Sequence, residues 1–146
     1  MIKSELAKER FDSGYACSQA IITCFCNEYD LNEADALKLS AGFAAGMQIS
    51  ETCGVITGAI MVLGIATCGE DCNNRDGRSK LYERINEFCE EFKRQNEFFD
   101  CSSLLGCDLS TEEGRQIAVN NNLFNMKCSS FVESGARILE GMLVNK

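Results

Sequence analysis

The sequence contains no histidine. That absence removes the Cys-His pair, the Ser-His-Asp triad, any histidine-ligated metal and the C-x-x-C-H haem attachment. Proline is absent too, so nothing locks φ or deletes a backbone donor inside a long helix. Runs of Val, Ile or Thr alternating with polar residues are missing, which leaves strands little support. There is no basic face: 14 Lys and Arg stand against 22 Asp and Glu, a net charge of −8, with a pI near 4.6. Nucleic acid and anionic membrane surfaces are poor partners for such a chain. The most apolar stretch, Cys53 to Cys68, runs about 16 residues and is interrupted by Thr57 and several glycines, whereas a membrane span needs roughly 20. Met1 to Arg10 reads as a charged amphipathic helix, without the apolar core of a secretory signal. The expectation is a soluble, cytoplasmic protein without membrane insertion.

Apolar residues make up 45% of the 146 positions, enough for one sizeable core and a single domain over residues 1–146. The predicted fold is all-α: one compact domain of six to eight helices around a central, buried, glycine-rich helix. The first helix spans Lys3 to Phe11 and breaks at Asp12-Ser13-Gly14. The second runs from Tyr15 to Tyr29. Asn32 caps a third, with Glu33 and Asp35 complementing its dipole, and that helix ends near Gly46. Ser50-Glu51-Thr52 caps the fourth, Cys53 to Thr67. A polar loop, Gly69 to Gly77, leads to a helix from Ser79 to Phe99, whose Leu81, Ile85, Phe88, Phe92 and Phe99 fall mostly at helical spacing. Asp100 precedes a short helix, Cys101 to Leu105, stopped by Gly106. Ser110 or Thr111 opens the next, which fades at Asn120-Asn121-Asn122. Asn125 caps the last, Met126 to Val144. Gly42 and Gly46, like Gly54 and Gly58, are four apart and share a helix face. Such glycines favour tight helix crossing; the other reading is that Gly54 and Gly58 clear space beside Cys53 for a cofactor or partner.

Ten cysteines are many for such a domain, and without an export signal they begin as thiols. Their spacing fits no standard zinc module, and no C-x-x-C is present. Placement separates them better. A helix N-terminus stabilises a thiolate, and four cysteines sit at predicted helix starts. Cys53 follows Thr52, Cys101 follows Asp100, Cys128 lies three residues after Asn125, and Cys17 lies near the start of the second helix, after the Asp12-Ser13-Gly14 break. These are the candidate redox thiols or metal ligands. Cys24 lies on nearly the same face as Cys17, about 20° away, so it is either a core residue or the edge of the same site. Cys26 and Cys89 read as packing residues, Cys89 as a small buried hydrophobe. Cys68, Cys72 and Cys107 fall at helix ends or in loops, and Cys68 with Cys72 suggests a secondary disulfide or weak metal site. Glu51 beside Cys53 reads as solvated or helix-stabilising, with proton transfer as the alternative.

At these residues the chain resembles the redox-active protein family named for its C-GCAxxG-C-C cysteine pattern. The resemblance is carried by Phe11-x-x-Gly14-x-x-Cys17-Ser18-Gln19-Ala20 and by Cys53-Gly54-Val55-Ile56-Thr57-Gly58-Ala59, continuing to Met61, Leu63 and Gly64. It extends to Cys101-x-x-Leu104-Leu105-Gly106 and to Cys128 with the amphipathic helix after it. By motif, the family's four cysteines correspond to Cys17, Cys53, Cys101 and Cys128. One departure is Val55, where the family usually has alanine; the larger side chain would narrow a pocket beside Cys53. The resemblance implies a redox role without a defined reaction. The cysteine domain of split-Soret cytochromes is similar and implies an iron–sulfur cluster on such cysteines.

Three functions follow, in order of weight. In the first, Cys17, Cys53, Cys101 and Cys128 ligate an iron–sulfur cluster, [2Fe–2S] being favoured, and exchange electrons with an unidentified redox partner protein. In the second, the same residues perform metal-free thiol–disulfide chemistry, with Cys53 as nucleophile and Cys17 resolving. In the third, the chain is a non-catalytic helical binding or scaffold domain, with homodimerisation an option. Both redox readings require the four sulfurs to gather around one pocket.

Overall fold

Apolar residues on every side of a helix demand burial on every side, and Gly54–Thr67 is that helix. In the computed structural model, which describes residues 2–144, this segment (α4) packs against Cys17–Phe25 (α2), Arg75–Asn96 (α5) and Ser129–Val144 (α8). Lys3–Asp12 (α1) lies across α8 and α2, and Glu33–Ser40 (α3) packs on α2. Two further helices, Cys101–Leu105 (α6) and Glu112–Asn120 (α7), complete the eight α-helices among the described residues. No strand occurs among them; the sole β-type pairing is one isolated antiparallel bridge between Thr52 and Asp100. The chain is all-α, and none of these helices is long and apolar enough to cross a membrane.

The apolar residues form two clusters. The larger contains Ile21, Phe25, Ile56, Leu63, Phe88, Phe92 and Leu139, all essentially without exposure. Truncating one such phenylalanine to alanine costs about 3–5 kcal/mol. Phe88 and Phe92, one turn apart on α5, stack with ring centroids 6.1 Å apart. Gly58 permits the α2–α4 crossing, because a Cβ there would press on Ser18 O at 2.9 Å and Ile21 Cβ at 3.2 Å. The smaller cluster is Cys101, Leu105, Cys107, Leu109 and Ala118, built by α6, α7 and the loop between them.

Side-chain caps start several helices, each worth about 1 kcal/mol. Asn32, Asp100 and Thr111 accept from the N–H groups of Asp35, Ser103 and Gly114, as their sequence positions predict. Asn74 does the same for Gly77 at 2.8 Å. It thus starts α5 at Arg75 rather than Ser79, and the helix stops at Asn96, leaving Phe99 outside it.

Three other boundaries differ from the sequence reading. First, α3 ends at Ser40, not near Gly46, and passes into a 3₁₀ turn, Ala41–Phe43. Gly42 and Gly46 therefore do not share a helix face. The chain then winds left-handed, with positive φ at Ala45 (54°), Gly46 (60°), Met47 (61°), Gln48 (65°) and Ser50 (60°). Each non-glycine residue in that conformation costs roughly 1–2 kcal/mol. Tertiary hydrogen bonds offset this strain. Ser50 Oγ accepts from Ser102 Oγ at 2.7 Å and from Leu109 N–H at 3.1 Å, while Glu51 N–H donates to Gly46 O at 3.1 Å. Second, Thr52 does not cap α4. Cys53 is itself the cap residue, and its own N–H donates to Phe99 O at 2.9 Å. Third, Asn125 does not cap α8. Its side chain donates to Asn122 Oδ1, and a widened π-type turn, Phe124–Cys128, leads into α8 at Ser129.

Candidate functional site

Between the two clusters lies a cavity of about 180 Å³. Cys17, Cys53, Cys101 and Cys128 all line it, with Phe11, Val55, Leu104, Phe124 and Phe131 among the apolar residues that complete the wall. Each cysteine arrives by a different route. Cys17 is the first residue of α2, Cys53 the cap of α4, Cys101 the first residue of α6, and Cys128 the last of the π-type turn. A reciprocal backbone pairing sets Cys53 beside Cys101: Cys53 N–H donates to Phe99 O at 2.9 Å, and Cys101 N–H to Glu51 O at 2.7 Å. The left-handed run places Ala45 in the wall, so backbone strain is concentrated at this site, as at many functional sites.

Two glycines give these side chains room. A Cβ at Gly54 would overlap the Cys17 sulfur. The Gly54–Gly58 pair thus divides its labour, with Gly58 serving the helix crossing and Gly54 clearing space for a cavity thiol. A Cβ at Gly135 of α8 would overlap Val55 Cγ1. The extra bulk of Val55 is received by that notch, although Val55 still borders the cavity.

Among the described residues no charged side chain lines the cavity, and burial dominates its electrostatics. It pushes the Cys17 thiol up, Cys53 well up, Cys101 to about 12, and Cys128 up strongly; neighbouring sulfurs add to the rise at Cys53, Cys101 and Cys128. Burial thus opposes the stabilisation that a helix start lends a thiolate. Desolvation of a charge in an apolar cavity outweighs the helix-terminal field. Opposing donors are nevertheless in place. Backbone N–H groups of Ala45, Ser18 and Gly54 act on the Cys17 sulfur, that of Val55 on Cys53, and the Ser50 hydroxyl on Cys101. These donors favour a sulfur that carries negative charge.

The remaining cysteines separate clearly. Cys107, a residue not singled out from the sequence, packs with Cys101 and Cys128 in the smaller cluster, and the Lys127 cation acts on both Cys107 and Cys128. Its one local signal is its place directly after Gly106, the left-handed stop of α6. Cys24 does not line the cavity; it is buried in the larger cluster, and burial lifts its thiol to about 11. Cys26 is fully buried, with Sγ donating to Thr23 O at 3.6 Å. Cys89 is half-buried rather than fully enclosed, because it lies at the margin of the α5 face that Phe88 and Phe92 bury. Glu51 is exposed and contributes its backbone to the Cys101 pairing. Cys68 and Cys72 lie at the opposite end of α4.

Among the described residues, no three Cys, Asp or Glu side chains are grouped to hold a metal ion. The four cavity thiols line one volume of about 180 Å³. An apolar cavity of about 150 Å³ takes up benzene, so this one suits a compact group of a few heavy atoms, such as the four-atom core of [2Fe–2S]. Four cysteine thiolates are the usual ligand set of such a core.

A model of the family described as "Putative redox-active protein (C_GCAxxG_C_C)" matches residues 15–142. No curated protein and no solved structure matches the chain. The chain belongs to that redox-active family, and the match spans all four cavity cysteines.

Proposed function

From this membership, we propose that the protein is an electron-transfer protein whose Cys17, Cys53, Cys101 and Cys128 hold a [2Fe–2S] cluster. The observation that carries the reading is the meeting of four thiols, from four separate segments, around one small apolar cavity. Neutral thiols gain little from the N–H and O–H donors aimed at three of them. Sulfurs that carry charge gain much more. Packed thiolates repel one another unless a metal or a disulfide neutralises them, and the cavity wall supplies no cation.

A bound cluster would supply reversible one-electron chemistry. The chain's own groups do the rest. The four thiols release their protons on ligation, which makes loading pH-dependent. The N–H groups facing Cys17 and Cys53 hold charge on sulfur, and hydrogen bonds of that kind raise a reduction potential. Phe11, Phe124 and Phe131 help exclude water.

The metal-free alternative also has a specific observation in its favour. The Cys17 sulfur sits directly over Gly54, the neighbour of Cys53, which makes Cys17 and Cys53 the leading disulfide pair. Anaerobic reconstitution with ferrous iron and sulfide separates the readings. The visible absorption of a cluster should appear in the native protein and in Cys89→Ser, and fall at least about tenfold in the Ser variants of Cys17, Cys53, Cys101 and Cys128. Absence of the band in native protein, together with a Cys17–Cys53 disulfide after mild oxidation, would favour thiol–disulfide chemistry.

A further inference from the structure

The C-terminal end of α4 carries a second pair of cysteines, outside the cavity. Cys68 ends the helix, and the turn Gly69–Cys72, closed by Cys72 N–H donating to Gly69 O at 3.2 Å, folds the chain back on it. Cys68 and Cys72, four positions apart across the turn, line the same surface groove. Cys72 is exposed and Cys68 half-buried, and both open onto a surface groove floored by Ile22, Leu39, Phe43, Met61 and Ile65. The turn is firmly held. Arg78 Nη1 donates to Cys72 O at 3.0 Å, Asn74 N–H donates to Asp71 O at 3.1 Å, and Gly77 lets the Asp71 backbone lie against the first turn of α5. The helix separates this pair from Cys53 by 14 residues, about 21 Å of axial rise.

We propose that Cys68 and Cys72 form an independent surface dithiol that exchanges with disulfide bonds presented from solvent. The exposed Cys72 thiolate attacks one sulfur of the incoming disulfide. The disulfide's S–S bond breaks, a mixed disulfide forms on Cys72, and the first thiolate leaves. Cys68, on the same groove, then attacks the Cys72 sulfur and expels the second thiolate. One S–S bond is broken in the substrate and one is made between Cys68 and Cys72. Two electrons pass to the substrate, and the two protons lost by the cysteines go to the two leaving groups. The arrangement meets the geometric requirements for such exchange: an accessible attacking thiol and a second, half-buried thiol on the same groove to resolve the adduct. The half-buried position of Cys68 sets the order of attack.

The test uses fully reduced native protein, exposed anaerobically to glutathione disulfide in one arm and to a disulfide-bonded peptide in the other. The reaction is quenched by alkylation and mapped by mass spectrometry. The expected result is a Cys68–Cys72 disulfide at least about tenfold faster than any modification of Cys89, and the faster arm identifies a small-molecule or a peptide oxidant. Cys68→Ser should accumulate a stable mixed disulfide on Cys72. Cys72→Ser should react slowly, and the helical circular dichroism of both variants should match the parent. Oxidation of Cys68 and Cys72 no faster than that of Cys89 would overturn the proposal, as would a persistent adduct on Cys72 in the native protein. Cluster loading at the far end of α4 plays no part in this readout, so the outcome is independent of the proposed electron-transfer function.

Discussion

The two ends of α4 carry cysteines in opposite surroundings. At the N-terminal end, four thiols face an apolar cavity beside a strained, hydrogen-bonded loop, and two of them, Cys17 and Cys53, meet backbone donors. At the C-terminal end, two thiols, one exposed and one half-buried, share a groove beside a polar turn. The difference shows that position on a helix does not by itself decide what a thiol does. Desolvation and neighbouring groups decide it. The cavity favours thiols that remain protonated until something displaces their protons, whereas the turn leaves Cys72 open to solvent.

The largest effect that sharpens this contrast is pH dependence. Burial raises the cavity thiols in the folded state, so they stabilise the reduced, unloaded protein fully below their unfolded pKa, near 8.5–9. That stabilisation is lost as pH rises through the folded values. Cys101, lifted from 9.0 to about 12, alone loses roughly 2 kcal/mol between pH 9 and pH 11. Denaturant titrations at both pH values should show the loss in unloaded protein and much less in cluster-loaded protein, whose sulfurs are already deprotonated. The loss should persist when Cys68 and Cys72 are both replaced by Ser. An equal pH response in unloaded and loaded protein would break the comparison.

Next in size is Gly54→Ala, which drives a methyl group into the Cys17 sulfur. It should cost about 1–3 kcal/mol as overpacking and lower cluster loading several-fold, measured by chemical denaturation and visible absorbance. The smallest effect is Gly64→Ala, on the same helix near the other end, where nothing lies within 4 Å of the added Cβ. There the helix should gain about 0.4–1 kcal/mol from the reduced freedom of the unfolded chain, with loading unchanged. If the two substitutions behave alike, the cavity is less tightly defined than described.

Much of this architecture could be read from the sequence because it rests on local signals. Asn32, Asp100 and Thr111 announce helix starts within three residues, and the apolar stretch of α4 announces its burial. The four cavity cysteines stood out by placement at segment starts. What local signals could not supply was tertiary. The left-handed run from Ala45 contains one glycine, Gly46, and persists through bonds from Ser102 and Leu109 to Ser50, more than fifty residues away. The raised thiol pKa values come from walls built by other segments. The π-type turn before α8 replaces a cap that Asn125 seemed suited to make, and Cys107 enters the cysteine group only because α6 and α7 pack together.

The central claim is that Cys17, Cys53, Cys101 and Cys128 hold a [2Fe–2S] cluster. The most direct test is the iron and acid-labile sulfide content of native protein purified without exposure to oxygen. The account predicts about two irons and two sulfides per chain, the stoichiometry of that cluster. Protein free of iron and sulfide, with all four cysteines recovered as free thiols, would contradict it.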